Sequence, residues 1–395
     1  IAGAADVIEL RLDLLASEDA SFDVGAWIAA APRPVLATLR SRSQGGQFTG
    51  TPAEAAERLV AAAAAGAAWI DVEGRVAPHL GELPAGTRRV ASEHGAAPLD
   101  EDPWVPAGFD FVKLARPIDG AQAYSTLLGE AAQLPTGAFV VPYGRLAATR
   151  TLFVGPERPG FLFGSARGDA AAAPGQPLLT ALLEEQRAGE VSPRAALYGL
   201  VGDPPGRSPS PALHNAVFRA RNLDALYVPL PGFSLREALG LPVEGLSVTQ
   251  PYKTQAFELA DVLDPTARAV GAVNTLVRRA EGWWGGNTDA TGIHAVLPTA
   301  APDARAFVYG AGGHARAAVW ALRERGYAVR LGARHDLRGE IAAQASGVAY
   351  GGTRYERFPG DAVVVNATPA GADGASLDAF DEGALEGLVV LDAPY

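Results

Sequence analysis

The stretch Ala306-Phe307-Val308-Tyr309-Gly310-Ala311-Gly312-Gly313-His314-Ala315-Arg316 decides the fold of the second half of the chain. Its apolar start, Ala306 to Tyr309, reads as a strand that enters a glycine turn and then an alanine-rich helix, Ala317 to Arg325. That order sets a pyrophosphate against backbone amides at a helix N-terminus, which makes Gly310, Gly312, Gly313 and Ala315 candidate cofactor-binding residues. About twenty residues further on, a turn that takes NAD carries an acid for the ribose hydroxyl. Here the strand Val329 to Leu331 ends in Gly332-Ala333-Arg334-His335, and Arg334 favours the extra phosphate of NADP.

Upstream, the runs Ala196 to Gly202, Ala225 to Leu230 and Gly245 to Thr249 read as strands of a small α/β unit. A polar connector, Ala188 to Pro193, separates it from short β-rich runs alternating with alanine-rich helical stretches, the signature of parallel β/α units. The runs are Val7 to Leu14, Pro34 to Arg40, Trp69 to Glu73, Arg88 to His94, Phe111 to Arg116, Ala138 to Tyr143 and Gly160 to Ser165. A closed (βα)8 TIM-like barrel needs eight strands, so the first strand is expected to be missing before Ile1. A helix is expected over Pro177 to Gln186. The expected organisation is a barrel over 1–190, an α/β substrate domain over 195–300 and a Rossmann-like dinucleotide domain over 301–395, an α/β chain throughout.

At 395 residues, two or three domains are expected. An apolar fraction of 48% with 19% charged residues is that of an ordinary globular protein. A net charge of −11 without a Lys/Arg cluster excludes nucleic acid as a partner. The longest apolar stretch, Leu59 to Ile70, is mostly alanine and runs into Asp71 and Glu73, too short and too weakly hydrophobic for a membrane. Ile1 to Asp13 carries acids and Arg11 instead of a basic start, so a cytoplasmic setting fits. The chain has no cysteine, which removes disulfide and thiolate chemistry, and no methionine, which points to a fragment or an edited sequence. His79, His214, His294, His314 and His335 show no ligand spacing, and no metal is expected.

Chemistry-bearing residues are few. Lys113 stands in Phe-Val-Lys-Leu-Ala, where desolvation would free its amine to attack a ketone. Glu9 and Arg11 alternate with apolar residues and face one side of a strand, and Arg40 and His94 end strands. In the second half, Ser208 and Ser210 lie two apart in a proline-rich loop suited to gripping a carboxylate. Lys253 follows a strand, and Asn274 and Asp289 lie in polar turns; a Lys with an Asp fits the proton transfer of a ketone reduction.

In the first half, Glu9-Leu10-Arg11-Leu12-Asp13, Thr38-Leu39-Arg40 with Gly45-Gly46, Ser92-Glu93-His94, Val112-Lys113-Leu114-Ala115, Thr149-Arg150, Phe163-Gly164-Ser165 and Pro174-Gly175-Gln176 resemble, in order and spacing, the type I 3-dehydroquinate dehydratases. The resemblance implies that Lys113 forms a protonated Schiff base with the substrate ketone. It implies that His94 removes the neighbouring proton and returns one to the departing hydroxyl, that Arg150 and Gln176 hold the carboxylate, and that Glu9, Arg11 and Arg40 hold ring hydroxyls. Gln44 stands where the family often has glutamate, and Ala172 where it has serine.

Ser208 to Asn215, Ser247 to Lys253, Gly271 to Thr275, Gly286 to Asp289 and Asn366-Ala367-Thr368-Pro369-Ala370-Gly371 are similar to shikimate dehydrogenase. This implies a catalytic pair, Lys253 and Asp289, with Lys253 giving the proton to the ketone oxygen of 3-dehydroshikimate. Ser208 and Ser210 would bind the carboxylate of 3-dehydroshikimate or shikimate, Thr249, Asn274 and Tyr395 the hydroxyls, and Asn366 and Thr368 would lie in the loop beside the nicotinamide of NADP. Ser247 replaces a common asparagine and Ala372 a common methionine. The match stops at Tyr395, so truncation at both ends is expected. Alternative readings are a non-catalytic sensor of pathway intermediates and an NAD-dependent quinate dehydrogenase; the four catalytic residues speak against the first and Arg334 against the second. Taken singly, Lys113 could be a snorkelling surface lysine, His94 a buried imidazole, and Lys253 with Asp289 a structural ion pair.

Overall fold

The structure, a computed structural model, describes residues 5–18, 23–95, 108–155, 157–166, 175–203, 208–370 and 378–393. The chain forms two compact units, residues 1–198 with 206–242 and residues 199–205 with 243–395.

The first unit opens with six strands in one parallel sheet: β1 (Ile8–Arg11), β2 (Val35–Thr38), β3 (Trp69–Glu73), β4 (Arg88–His94), β5 (Phe111–Ile118) and β6 (Ala138–Gly144), each paired with the next. Helices α1 (Leu12–Glu18), α2 (Val24–Ala30), α3 (Pro52–Ala64) and α4 (Ala121–Gln133) lie between them. Parallel strands are covered on both faces, and accordingly β2 is buried at every position. Helix α3 shows why the alanine runs are helical. Thr51 caps it through a reciprocal pair with Glu54, Pro52 occupies its first turn, and Ala55, Ala56, Leu59, Ala62 and Ala63 form its buried face.

Two expectations are corrected here. Gly160 to Ser165 is not a strand: apart from a bridge between Ser165 and Leu178 it makes no ladder. Gly160 presses on the Phe139 ring and Gly164 on the Leu179 backbone, while Phe161 packs against Trp69, Phe111 and Phe139. The segment thus plugs the sheet with aromatic rings instead of extending it. Among the described residues the sheet is an open half-barrel of six strands. The helix expected over Pro177 to Gln186 forms but starts later, at Leu179, and continues through the π-helical segment Ala181–Glu185, because Ser165 pairs with Leu178 and takes the amide of Leu179.

The first unit continues through β7 (Ala196–Val201), which ends in the second unit, and through α5 (Ser210–Ala220), β8 (Ala225–Pro229) and α6 (Leu235–Leu239). Buried Asn215 locks α5 to β8 by donating to the Tyr227 carbonyl at 2.7 Å and accepting from its amide at 2.9 Å.

The second unit contains β9 (Gly245–Val248), α7 (Lys253–Leu259), β10 (Val262–Leu263), α8 (Pro265–Val270), β11 (Thr275–Arg279), β12 (Gly282–Gly286) and α9 (Thr288–Val296). Its strands run in the order β10-β12-β11-β9, with β11 antiparallel to both neighbours. There follow β13 (Arg305–Tyr309), α10 (Gly313–Glu324), β14 (Ala328–Gly332), α11 (Asp336–Ala345), β15 (Ala349–Tyr350), β16 (Asp361–Asn366) and β17 (Val389–Asp392). These strands make a five-stranded parallel sheet in the order β15-β14-β13-β16-β17. Tyr309 at the end of β13 lies between Gly332 and Asn366, so the chain reverses direction across this sheet beside the glycine turn, where open α/β sheets bind ligands. The small residues Ala315, Ala317, Ala318 and Ala321 let α10 bury its face with Val319 and Leu322.

Candidate active sites

The ends of β2 to β5 converge on a buried ion network. Lys113 on β5 is 4% exposed, and its Nζ lies 2.5 Å from Asp71 Oδ2 on β3 and 4.6 Å from the centre of the Phe163 ring. Asp71 Oδ1 accepts from Arg40 Nη2 at 2.8 Å and from the Ser92 hydroxyl. Arg40 also donates to Ser92 at 2.9 Å and reaches Glu73 at 3.4 Å, while Glu73 accepts from the Ser41 amide and hydroxyl. Alternation explains the convergence, since Asp71 and Glu73 face one side of β3. Burial alone would raise the Asp71 carboxyl, but the charges of Arg40 and Lys113 outweigh it and hold the group far below the usual carboxylate range. The desolvation expected around Lys113 is present; its cage, however, contains a carboxylate as well as apolar groups.

His94 ends β4 and is oriented by Gln44, whose Oε1 lies 3.2 Å from both the His94 amide and Nδ1. Burial, reinforced by the charges of Arg40 and Lys113, pushes the imidazole well below its usual value, so it is neutral at pH 7 and free to take a proton. Arg11 forks onto Asp13 at 2.9 and 2.7 Å, and Glu9 accepts from Thr38 at 2.9 Å. Arg150, 2% exposed, donates to the carbonyls of Ala147 at 2.9 Å and Phe163 at 2.6 Å, and burial lowers it to about 10. Half-buried Gln176 follows Gly175, whose φ of 71° and contact with the Gly144 carbonyl bring that loop against the end of β6.

The second unit holds another lysine–carboxylate pair. Lys253 at the start of α7 places Nζ 2.5 Å from Asp289 Oδ2, in the first turn of α9. Asn274 donates to Asp289 Oδ1 at 2.8 Å and accepts from the Thr288 amide, while Asn287 caps α9. His314 Nδ1 stands 3.4 Å from Asp289 Oδ2. Burial would raise Asp289, but the bond from His314 and the charge of Lys253 hold it well below the carboxylate range. Thr249 packs against Gly202, where its methyl occupies the space a Cβ would need. Ser208 and Ser210 belong to the first unit and bond to each other at 3.0 Å. Tyr395 lies outside the described residues.

The glycine turn suits a dinucleotide. Gly310, at φ 140°, approaches the Ala367 carbonyl, and a Cβ there would lie 3.0 Å from it. Gly312 caps α10 with nothing within 4 Å of where its Cβ would be, leaving the helix N-terminus open to a phosphate. Ala315 is buried in the helix face. Arg334 is exposed, and its charge, with that of exposed Arg354, acts on the Tyr309 hydroxyl, which burial raises. Asn366 is buried and donates to Asp392 at 2.8 Å and to the Ala370 carbonyl at 3.1 Å; it also accepts from the Thr368 hydroxyl at 2.7 Å. Its amide therefore shapes the loop.

Sequence reasoning missed Asp71, Glu73, Ser92, His314 and Arg354. For the first two a signal existed, since two acids on one face of a strand inside a parallel sheet require buried cations. His314 and Arg354 carried none.

Comparison with known proteins places these sites in context. Residues 1–105 match the type I 3-dehydroquinase family and residues 200–276 the shikimate dehydrogenase substrate binding domain. A bifunctional 3-dehydroquinate dehydratase/shikimate dehydrogenase of Arabidopsis thaliana is 30% identical over 93% of this chain and 67% of its own length. A shikimate dehydrogenase (NADP(+)) of Anaeromyxobacter sp. (strain K) is 42% identical over 47% of this chain and 72% of its own. A solved dehydroquinate dehydratase and shikimate dehydrogenase from S. pombe aligns with 98% of this chain and 83% of its own, at 22% identity and a TM-score of 0.37.

Proposed function

The chain belongs to the bifunctional type I 3-dehydroquinate dehydratase/shikimate dehydrogenase family, and from that membership we propose which of its residues carry the two activities. It dehydrates 3-dehydroquinate to 3-dehydroshikimate and reduces the product to shikimate with NADPH, consecutive steps of the shikimate pathway. We assign the dehydratase to 1–190, the substrate domain of the reductase to 195–300 and the NADP domain to 301–395.

In the dehydratase, the Lys113 amine attacks the substrate ketone, water leaves, and an iminium remains that accepts the electron pair released when the adjacent proton goes. Neutral His94, oriented by Gln44, takes that proton and returns one to the departing hydroxyl. Ionised Asp71 balances the iminium charge inside the buried site. Glu9, Arg11 and Arg40 hold the ring hydroxyls, and Arg150 with Gln176 the carboxylate. Arg40 and Arg150 keep N–H groups beyond those spent internally, since a guanidinium has five.

In the reductase, Lys253 delivers a proton to the carbonyl oxygen while Asp289 and Asn274 fix its direction. Ser208 and Ser210 are assigned to the substrate carboxylate, and Thr249, Asn274 and Tyr395 to its hydroxyls. NADPH, when bound, supplies the hydride. Gly310, Gly312 and Gly313 would receive its pyrophosphate, with buried Ala315 packing the helix behind them, Arg334 with Arg354 would take its extra phosphate, and Asn366 and Thr368 would form the loop beside its nicotinamide.

Among the described residues no helix is long and apolar enough to cross a membrane. We read the setting as cytoplasmic, although the Arabidopsis relative is named chloroplastic.

The observation that carries this reading is that each half presents a lysine 2.5 Å from a carboxylate, in the sequence context its family match covers or adjoins. Given 3-dehydroquinate and NADPH, the chain should oxidise NADPH after a lag, and given 3-dehydroshikimate, without one. Absence of NADPH oxidation with either would contradict the reading.

A further inference from the structure

Two adjacent residues of the dinucleotide turn engage the reducing pair. A Cβ at Gly313 would lie 2.9 Å from Lys253 Cβ and 3.2 Å from its Cδ, so the first residue of α10 is pressed onto the lysine stem and has to be glycine. The next side chain, His314, reaches the other way, placing Nδ1 3.4 Å from Asp289 Oδ2, the oxygen that also holds Lys253. The imidazole is 29% exposed and Asp289 20%, which puts His314 on the solvent side of the pair.

We propose that His314 is a positioning residue for ketone reduction, tying the N-terminus of the cofactor-binding helix to the Lys253–Asp289 pair. The inference rests on the assignment of that pair as the reducing machinery. The imidazole, with its proton on Nδ1, donates to Asp289 and fixes the oxygen toward which the Lys253 amine points. It also takes a share of the carboxylate's charge from the lysine, easing release of the lysine proton to substrate. The charged groups around it are Asp289 from α9, Lys253 from α7 and, on its own helix, Arg316, whose guanidinium is turned to the Gly271 carbonyl at 3.2 Å.

Replacing His314 by Ala and by Asn in the full chain tests this with 3-dehydroshikimate and NADPH. His314→Ala should lower kcat about tenfold and leave KM for the ketone within about twofold. His314→Asn, which keeps an N–H donor at similar reach, should restore most of kcat. Independently of turnover, the ring resonance of His314 followed by NMR at one fixed pH should move in Asp289→Asn relative to the parent, because the ring loses its carboxylate partner. Parent-like kcat in His314→Ala, or an unmoved His314 resonance in Asp289→Asn, would overturn the proposal. A parent chain that fails to reduce the ketone would instead overturn the assignment of the pair, and the NMR resonance tells the two failures apart.

Discussion

Lys113 and Lys253 stand the same 2.5 Å from a carboxylate yet are assigned different chemistry, and what surrounds each carboxylate accounts for the difference. Around Asp71 the further partners are Arg40 and Ser92, all deep in a parallel sheet, and the lysine side chain is 5% exposed. Around Asp289 they are Asn274 and His314, and the lysine side chain is 15% exposed. A dry, charge-balanced pocket favours a covalent nucleophile, because the iminium it forms keeps the positive charge that Asp71 already neutralises. A wetter pair at two helix starts favours a proton donor, because the lysine must be recharged from solvent in each cycle.

Exchanging one lysine at a time breaks the comparison most sharply. Lys113→Ala should abolish dehydration, by at least about 10³-fold in kcat, and leave reduction of added 3-dehydroshikimate at the parent rate in steady-state assays. Loss of both activities would mean that the two halves are not independent. Lys253→Ala should cost about 10²- to 10³-fold in kcat for reduction with little change in KM, while dehydration continues. Equal losses in kcat and in binding would reduce that amine to a substrate anchor.

Gln44→Glu sharpens the picture on the dehydratase side. Gln44 is neutral and His94 is pushed well below its usual value, which suits the neutral base proposed for it. A carboxylate at position 44 would favour the imidazolium, raise the His94 pKa by about one unit and move the acid limb of dehydration to higher pH by the same amount. A pH–rate profile that does not move would mean that another group sets that limb. The smallest effect expected is at the cofactor. Arg334→Ala should raise KM for NADPH about tenfold and leave KM for NADH unchanged, as measured by initial rates with each cofactor.

The strands that build both sites were legible because a parallel sheet demands continuous apolar runs, and Val35–Thr38, Ala138–Gly144 and Arg305–Tyr309 satisfy that demand locally. Gly160 to Ser165 misled for the same reason. Its Phe-Leu-Phe pattern is apolar, but its glycines let it collapse onto Phe139 and Leu179 instead of pairing, a tertiary outcome that no local pattern records. Lys113 was visible as a single charge inside an apolar strand, and His94, Lys253 and Asp289 because each stands at a strand end or in a polar turn. The partners that tune them were not. Asp71 and Ser92 come from neighbouring strands, and His314 meets Asp289 only because Gly313 lets α10 close onto α7. Arg150 was legible as a residue but not in its environment, since its bonds to the Ala147 and Phe163 carbonyls depend on how the plug segment packs.

The claim that two similar ion pairs support two different reactions is tested most directly by trapping. Borohydride added to the chain with 3-dehydroquinate, followed by peptide mass spectrometry, should leave a stable adduct on the peptide containing Lys113 and none on the peptide containing Lys253. An unmodified Lys113, or labelling of Lys253 in its place, would contradict the assignment of the buried amine as the covalent nucleophile.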